Sequence, residues 1–554
     1  MSTKRTRAGA GKQARLPAPD RTTNESVNGS TRKAANGKPG DTGKSRERRL
    51  FDALSSNDSE TVSTARLRQA LRESGLRLDD TRLAECVDAL SAFEDEANAG
   101  EHRLGFTEFA KIVRPNILTI ERSLKRELVI PDFEGFATDM RRIFEMAGNS
   151  TEGKVSDYIP QLGRVEPDLF GAAVCTIDGQ RLTMGDADRP FCVQSVSKAI
   201  SYCLALEEHG ESYVHEHMGC EPSGQSFNEL TLNTKGQPHN PMINAGGIMS
   251  SALIRRELTM ADRFDYVLDK WAQLAGGIRP GFSNPTYLSE RRTADRNFAL
   301  GYSMRERNAF PQGTDLIDVL EFYFQCCSLE LTAEMMSVVA ATLANGGICP
   351  VTGERVFRPE TVQKCLSLMS SCGMYDFSGE WAFRIGLPAK SGVSGAILIV
   401  VPNVMGLCAW SPRLDEHGNS VRGIKLCEHL VDTFNFHAFD NLVGGQHGKK
   451  DPRRQPEEDR RNRLVDLCWA ASEGDLSGIR RLVVQGVELD DADYDGRTAL
   501  HLAASEGRSE VVEFLIRQGV RVAPVDRWGN TPLDDAKKAG HDDVARLLVQ
   551  PAAA

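Results

Sequence analysis

A chain of 554 residues is too long for one hydrophobic core, so several domains are expected. Charged residues make up 26% and the formal net charge is -10, which fits a soluble globular protein and argues against a phosphate-backbone binder. No run of about 18 apolar residues occurs, which excludes a membrane-spanning helix, and the 13 cysteines include no C-x-x-C pair, so a disulfide framework, a zinc site and a redox motif are unsupported.

Residues 1–45 hold ten Lys/Arg against Asp20, Glu25 and Asp41, with Leu16 and Val27 as the larger aliphatics. No core can form from such a stretch, and a disordered basic tail is expected. Its charge is that of a mitochondrial transit peptide, but it lacks the apolar face of a targeting helix, and it lacks the apolar core of a secretory signal. The Asn28 sequon, N-G-S, is a match by pattern only.

From Arg48 to Val113 four short patterns recur at helical spacing: Leu50, Phe51 and Leu54; Leu67, Ala70 and Leu71; Leu83, Cys86, Val87 and Leu90; Phe106, Phe109, Ile112 and Val113. They predict two helix pairs over 46–130, an EF-hand-like bundle. The loops SSNDSET and EDEANAGEH lack ligands at alternate positions with a closing Glu, so calcium binding is not expected there. Over 131–440, apolar runs such as GAAVCTIDG (171–179) and GAILIVVPN (395–403) predict strands of one sheet, and SKAISYCLALEEHG and LTAEMMSVVAATLANGG predict helices on its faces. Residues 441–462 are charged and contain Gly and Pro, the composition of a linker.

Over 463–550 a repeat appears. LCWAASEGD, LHLAASEGR and LDDAKKAGH recur with Gly474, Gly507 and Gly540 in register and Thr498 matched by Thr531. The spacing is that of ankyrin repeats, and TALHLAA stands where their T-P-L-H-x-A lies. Such repeats bind protein partners and carry out no chemistry.

Candidate chemistry centres on RPFCVQSVSKA. Ser195 and Lys198 form S-x-x-K, which at a helix start sets a hydroxyl and an amine side by side. A serine needs a neighbour to take its proton, and a lysine can do so only when burial or another cation lowers its pKa. Taken alone, the motif also describes an ordinary serine beside a surface lysine. Lys390, Ser391 and Gly392 add a K-S-G before the apolar strand from Ala396, the counterpart of the K-T-G that accompanies S-x-x-K in serine β-lactamases and penicillin-binding enzymes. Their third element, S-D-N, is absent. Three polar stretches complete the set: HNPMINAGG, LSERRTADRNFALGY and CGMYDFSGEWAFRIGLPAKSGVSG.

Through VSDYIPQLG, EPSGQSFN, HNPMINAGG, SERRTADRNFA, DFSG, LPAKSGV and VVPNVMG, the sequence resembles the glutaminases of the kidney and liver type, from about Leu50 into the repeats. That resemblance implies an α+β multidomain chain: a serine-dependent, β-lactamase-like catalytic domain flanked by the EF-hand-like bundle and the ankyrin repeats. It further implies an amidohydrolase acting on L-glutamine without a cofactor or metal, a homotetramer, and phosphate as activator. By resemblance the mitochondrial matrix is the expected compartment, and the cytoplasm otherwise. No nucleic-acid or membrane partner is expected, and the ankyrin partner is unknown.

Carried over residue by residue, the family's site makes Ser195 the nucleophile, Lys198 its proton acceptor and Tyr375 the group that assists proton transfer. Tyr158, Asn244, Glu290, Asn297, Tyr323 and Val393 would bind substrate together with Ser195 and Tyr375. The chemistry gives these types a reason. A free amino acid needs a carboxylate for its ammonium, which Glu290 can supply, and donors for its carboxylate, such as Asn244, Asn297 and Tyr323. Glu290 and Asn297 are seven apart and could face one pocket if the segment is helical. The N–H groups of Ser195 and Val393 are the expected oxyanion hole. The plain alternatives are hydrogen-bonded core tyrosines and, for Glu290 amid Arg291 and Arg292, a surface ion pair. Gln225 and Thr231, in what resembles the family's gating loop, differ from the residues usual there. Two competing readings are a penicillin-interacting serine acyl enzyme and an ankyrin scaffold carrying an inactive relic domain.

Overall fold

The computed structural model describes residues 45–55, 61–96, 102–224, 229–440, 448–454, 456–484 and 487–549. All of the basic tail but Ser45, the Asn28 sequon and Gln225 lie outside the described residues.

The centre is a five-stranded antiparallel sheet with spatial order Arg181–Gly185, Gly171–Thr176, Met405–Trp410, Ala396–Val401, Ala389–Gly392. Both runs predicted as strands are in it. The run AILIVV is apolar throughout because both of its faces are buried. Ala396, Leu398 and Val400 enter one core, with the helices Ser197–His215, Leu316–Cys327 and Ala333–Ala344. Ile397, Ile399 and Val401 enter the other, with Phe133–Gly148 and Val421–Thr433. A single strand thus joins the two cores through side chains that alternate across the pleat. The Ala333–Ala344 helix lies so close to the sheet that a Cβ at Gly406 would meet the Ala341 nitrogen at 2.1 Å. Only glycine leaves room for that approach.

The N-terminal bundle contains the four expected helices, Arg46–Leu54, Thr64–Glu73, Ala84–Glu96 and Phe106–Val113. Its two halves are joined by a short antiparallel pairing of Val62 with Leu104 and Ser63 with Arg103. A fifth helix, Ile117–Leu124, which the four apolar patterns did not include, buries Ile120 against the same core. Its start is hidden in the sequence by the 3-10 turn Arg114–Asn116, which contains Pro115. Among the contacts that dock the bundle beside the sheet is a buried amide, Gln180, whose Nε2 donates to the carbonyls of Ser74 (2.8 Å) and Ile130 (2.9 Å), and the Arg181 N–H donates to the Gly75 carbonyl at 2.8 Å.

The charged linker expected over 441–462 turns helical at Pro456, where the helix Pro456–Glu473 begins and runs into the first repeat. Proline suits a first helical position because it supplies the required φ and its missing N–H would be unpaired anyway. In the repeats, Thr531 and Asp534 form a reciprocal cap. His501 Nδ1 accepts the Thr498 N–H at 3.1 Å, so Nε2 carries the proton and donates to the Asn530 carbonyl of the next repeat.

Candidate active site

The short strand Phe191–Cys192 leads into a 3-10 turn, Gln194–Val196, which passes directly into the helix Ser197–His215. Ser195 therefore sits at the foot of a buried helix whose first turn carries Lys198. Lys198 is only 1% exposed, and its Nζ donates to Ser195 Oγ at 2.5 Å. Burial pulls the Lys198 pKa down to about 8, while the neighbouring Cys327 and Glu290 act in the opposite sense. A buried amine in this range can exist as the neutral base that a serine nucleophile requires.

Two further elements fix this lysine. The Tyr323 ring, on the helix Leu316–Cys327, has its centroid 5.5 Å from Nζ. From the other side comes the helix Asn244–Leu253, and a Cβ at Gly247 would stand 2.9 Å from Lys198 Cε and 3.0 Å from Tyr323 Cε2. The second glycine of INAGG, Gly247, thus lets backbone pack directly on the alkyl chain of Lys198, while Gly246 makes room for the Asn240–Pro241 backbone.

Tyr375 opens the 3-10 turn Tyr375–Phe377 and is buried. Its hydroxyl faces Ser195 and the Val393 backbone; burial raises its pKa, and both of these neighbours lower it. Both Gln194, next to the serine, and Tyr375 have left-handed backbones, with φ of 47° and 53°. Side chains with a Cβ rarely adopt that region unless the surroundings impose it. Lys390 packs against the Tyr375 ring. Its Nζ is fully buried, donates to the carbonyls of Gly373 (3.1 Å) and Ser391 (2.8 Å), and lies 4.6 Å from the Tyr375 ring centroid. Val393 follows the edge strand Ala389–Gly392, which packs against the serine turn at Val193 and Val196.

The remaining residues assemble on one side of the Ser195–Lys198 pair. Glu290, 3% exposed, is no surface ion pair: Arg291 turns outward to Glu321 at 2.8 Å. Tyr158 donates its hydroxyl to Glu290 Oε2 at 3.2 Å. Burial raises the Glu290 pKa, whereas the Gln194 carboxamide, Tyr158 and Lys198 favour its anion. Its second oxygen, Oε1, is buried and lies outside hydrogen-bonding geometry with every donor among the described residues. An acceptor so placed fits an incoming cationic head. Asn244 Nδ2 donates to Asn297 Oδ1 at 3.2 Å.

One expectation needs correction. Glu290 and Asn297 do not share a helix: Asn284–Thr293 ends, Ala294 intervenes, and Asp295–Glu306 begins in a new direction. The two side chains are buried in the same region by the turn, not by heptad spacing. Three neighbours were missing from the expected set. Gln194 could have been found as the residue abutting the nucleophile, and Lys390 was visible in K-S-G. Cys327, whose thiol lies 3.8 Å from Ser197 Oγ and is pushed up to about 11 by burial, gave no signal beyond its pairing with Cys326. Among the described residues, no group of three or more His, Cys, Asp or Glu is placed to hold a metal ion.

A serine and a buried lysine at the foot of a helix, packed against a five-stranded antiparallel sheet with K-S-G on its edge strand, define a serine-dependent hydrolase of β-lactamase-like architecture. Residues 153–439 match the Glutaminase family model, 467–554 that of ankyrin repeats (3 copies), and 46–131 an EF-hand domain. The chain is 49% identical over 444 residues to the mitochondrial liver isoform of glutaminase of Rattus norvegicus, covering 80% of this chain and 73% of the relative. The Mus musculus liver isoform matches with the same identity and coverage. A solved structure of a probable glutaminase, ybaS, superposes with a TM-score of 0.52 at 36% identity, over 55% of this chain and 99% of the other. The chain belongs to the glutaminase family.

Proposed function

We propose that this glutaminase hydrolyses L-glutamine to L-glutamate and ammonia through an ester on Ser195. The observation that carries this reading is the 2.5 Å contact between Ser195 Oγ and a fully buried Lys198. Neutral Lys198 takes the hydroxyl proton as Oγ attacks the side-chain amide carbon, and the N–H groups of Ser195 and Val393 receive the developing oxyanion. Tyr375, beside Oγ, passes a proton to the departing nitrogen and takes back the one held by Lys198, and the C–N bond breaks to release ammonia. Water then attacks the ester, Lys198, neutral again, accepts its proton and returns it to Ser195 Oγ, and glutamate leaves with Ser195 restored.

Substrate recognition follows from the charge of a free amino acid. Glu290 Oε1 accepts the α-ammonium, and Tyr158 holds the other carboxylate oxygen in place. Asn244, Asn297 and Tyr323 present donors to the α-carboxylate. Ammonia release measured with glutamine and with asparagine tests the assignment: glutamine should be turned over and asparagine, shorter by one methylene, should not. Absence of ammonia from glutamine, with or without phosphate, would refute it.

The resemblance further supports a homotetramer, activation by phosphate, a protein partner for the repeats, and the division 1–45, 46–130, 131–440, 441–462 and 463–550. The naming of the rat and mouse relatives as mitochondrial supports that compartment. Light scattering, assay with added phosphate and limited proteolysis test the first, second and last of these. No helix among the described residues is long and apolar enough to cross a membrane.

A further inference from the structure

The backbone carbonyls of Gly373, Met374 and Tyr375 are each held by a different element. Gly373 faces the edge strand, where its oxygen accepts the Ser391 N–H at 3.1 Å together with Lys390 Nζ. The Tyr375 carbonyl accepts Ser378 Oγ at 2.7 Å, and the same hydroxyl oxygen takes the Met374 N–H at 3.0 Å. Between them, the Met374 carbonyl is met by Asn419, whose Nδ2 donates to it at 3.3 Å.

That pattern bears directly on the left-handed backbone of Tyr375, with its φ of 53°. A peptide unit is a rigid plane, so the planes on either side of the Tyr375 Cα define its φ and ψ between them. Asn419 holds the first plane through the Met374 oxygen, and Ser378 holds the second through the Tyr375 oxygen. A residue with a Cβ stays in this region only where its surroundings impose it.

Asn419 is itself firmly placed. It ends a turn between the short strand Arg413–Leu414 and the helix Val421–Thr433. Asp415 Oδ1 accepts the N–H groups of His417 (2.9 Å) and Asn419 (2.8 Å), and the Asp415 N–H donates to the Asn419 carbonyl at 2.8 Å. A Cβ on Gly418 would stand 3.8 Å from Val393 Cγ1 and 3.9 Å from Tyr375 Cε2, so the turn packs against both residues. The Asn419 side chain is fully buried, and its Oδ1 lies outside hydrogen-bonding geometry with every donor among the described residues. A buried acceptor without a donor costs stability, which an apolar side chain of the same shape would avoid. What the amide adds is its N–H group, because the Met374 oxygen can only accept.

We propose that Asn419 is a positioning residue for catalysis, holding Tyr375 through the Met374 carbonyl in the conformation that turns its hydroxyl toward Ser195. This rests on the proton-transfer role given to Tyr375. The test is a double-mutant cycle in the full chain, with kcat for ammonia release from glutamine measured in wild type, Asn419→Leu, Tyr375→Phe and the double variant. Asn419→Leu should lower kcat by about tenfold or more in the wild-type background, and by less than about twofold once the Tyr375 hydroxyl is gone. A residue that merely supported the fold would subtract the same factor in both backgrounds, and that result would overturn the proposal. So would wild-type kcat in Asn419→Leu, or a change confined to KM. Thermal unfolding should remain cooperative, since the substitution removes an acceptor that has no donor; if the leucine variant fails to fold, Asn419→Ala, which deletes the amide and adds no volume, runs the same cycle with the same expectations. Wild-type turnover in Tyr375→Phe would overturn the role given to Tyr375 and this proposal with it, whereas a slow Tyr375→Phe beside an unaffected Asn419 variant would overturn the proposal alone.

Discussion

Lys198 Nζ stands 2.5 Å from Ser195 Oγ, and the backbone of Gly247 closes the far side of the same lysine so tightly that an added methyl would come within 2.9 Å of its Cε. Base and nucleophile are thus held together by a helix that contributes no reactive group at that point. Ser195→Ala should abolish formation of the ester, and Lys198→Ala should lower kcat by roughly 10²- to 10⁴-fold while the protein stays folded. Steady-state kinetics with a coupled ammonia assay reads this. Equal turnover in wild type and Lys198→Ala would remove the lysine from the mechanism.

Gly247→Ala perturbs the same contact without replacing either reacting group, the added methyl meeting Lys198 Cε at 2.9 Å and Tyr323 Cε2 at 3.0 Å. The methyl should push the lysine off Ser195, so kcat falls by roughly tenfold or more while KM changes little, because a misplacement near 1 Å costs up to about 10²-fold in rate. A rise in KM alone would place the glycine in substrate binding instead.

The pH dependence follows from the sign of the Lys198 shift. Burial disfavours the ammonium form and brings the pKa to about 8, so the free enzyme gains its base as pH rises through that value. A plot of log kcat/KM against pH should show an acid limb with an apparent pKa near 8, below the usual lysine range. A limb that moved down to the carboxylate range would assign the base to Glu290.

Glu290→Gln keeps the shape of the side chain and removes its charge. Loss of one charge-assisted contact to the substrate ammonium should lower kcat/KM by about 10- to 100-fold, expressed mainly in KM. Glutamine titrations at fixed pH distinguish this from an effect on kcat.

The sheet makes a stability prediction. Ile399→Ala, in the central strand pair with both faces covered, should lower unfolding free energy by about 2–5 kcal/mol, because the cavity it leaves is lined by the Phe133–Gly148 and Val421–Thr433 helices and cannot collapse. Urea denaturation followed by circular dichroism measures it.

These results separate what the sequence carried from what it did not. Ser195 and Lys198 were legible because a helix repeats its faces every three to four residues, so their proximity is written in their spacing. The strand Ala396–Val401 was legible from its unbroken apolar run, and the repeats from their common period. The relation of Glu290 to Asn297 was not, because one residue, Ala294, redirects the chain, and nothing in SERRTADRN marks the break with Gly or Pro. The fifth bundle helix was hidden by the turn at Pro115. The Gly247 contact depends on two helices far apart in sequence, a relation that spacing along one helix cannot express.

The left-handed backbones at Gln194 and Tyr375 bear on how far this enzyme can be made sturdier. Each conformation holds on the order of 1 kcal/mol or more that a glycine would release, so Gln194→Gly or Tyr375→Gly relaxes the chain at the points where it is tautest. Those are also the points that aim the two hydroxyls at one another. A search for heat-resistant variants should therefore collect its gains in the bundle, the repeats and the outer helices, and any gain it finds beside these two residues should come with a slower catalyst.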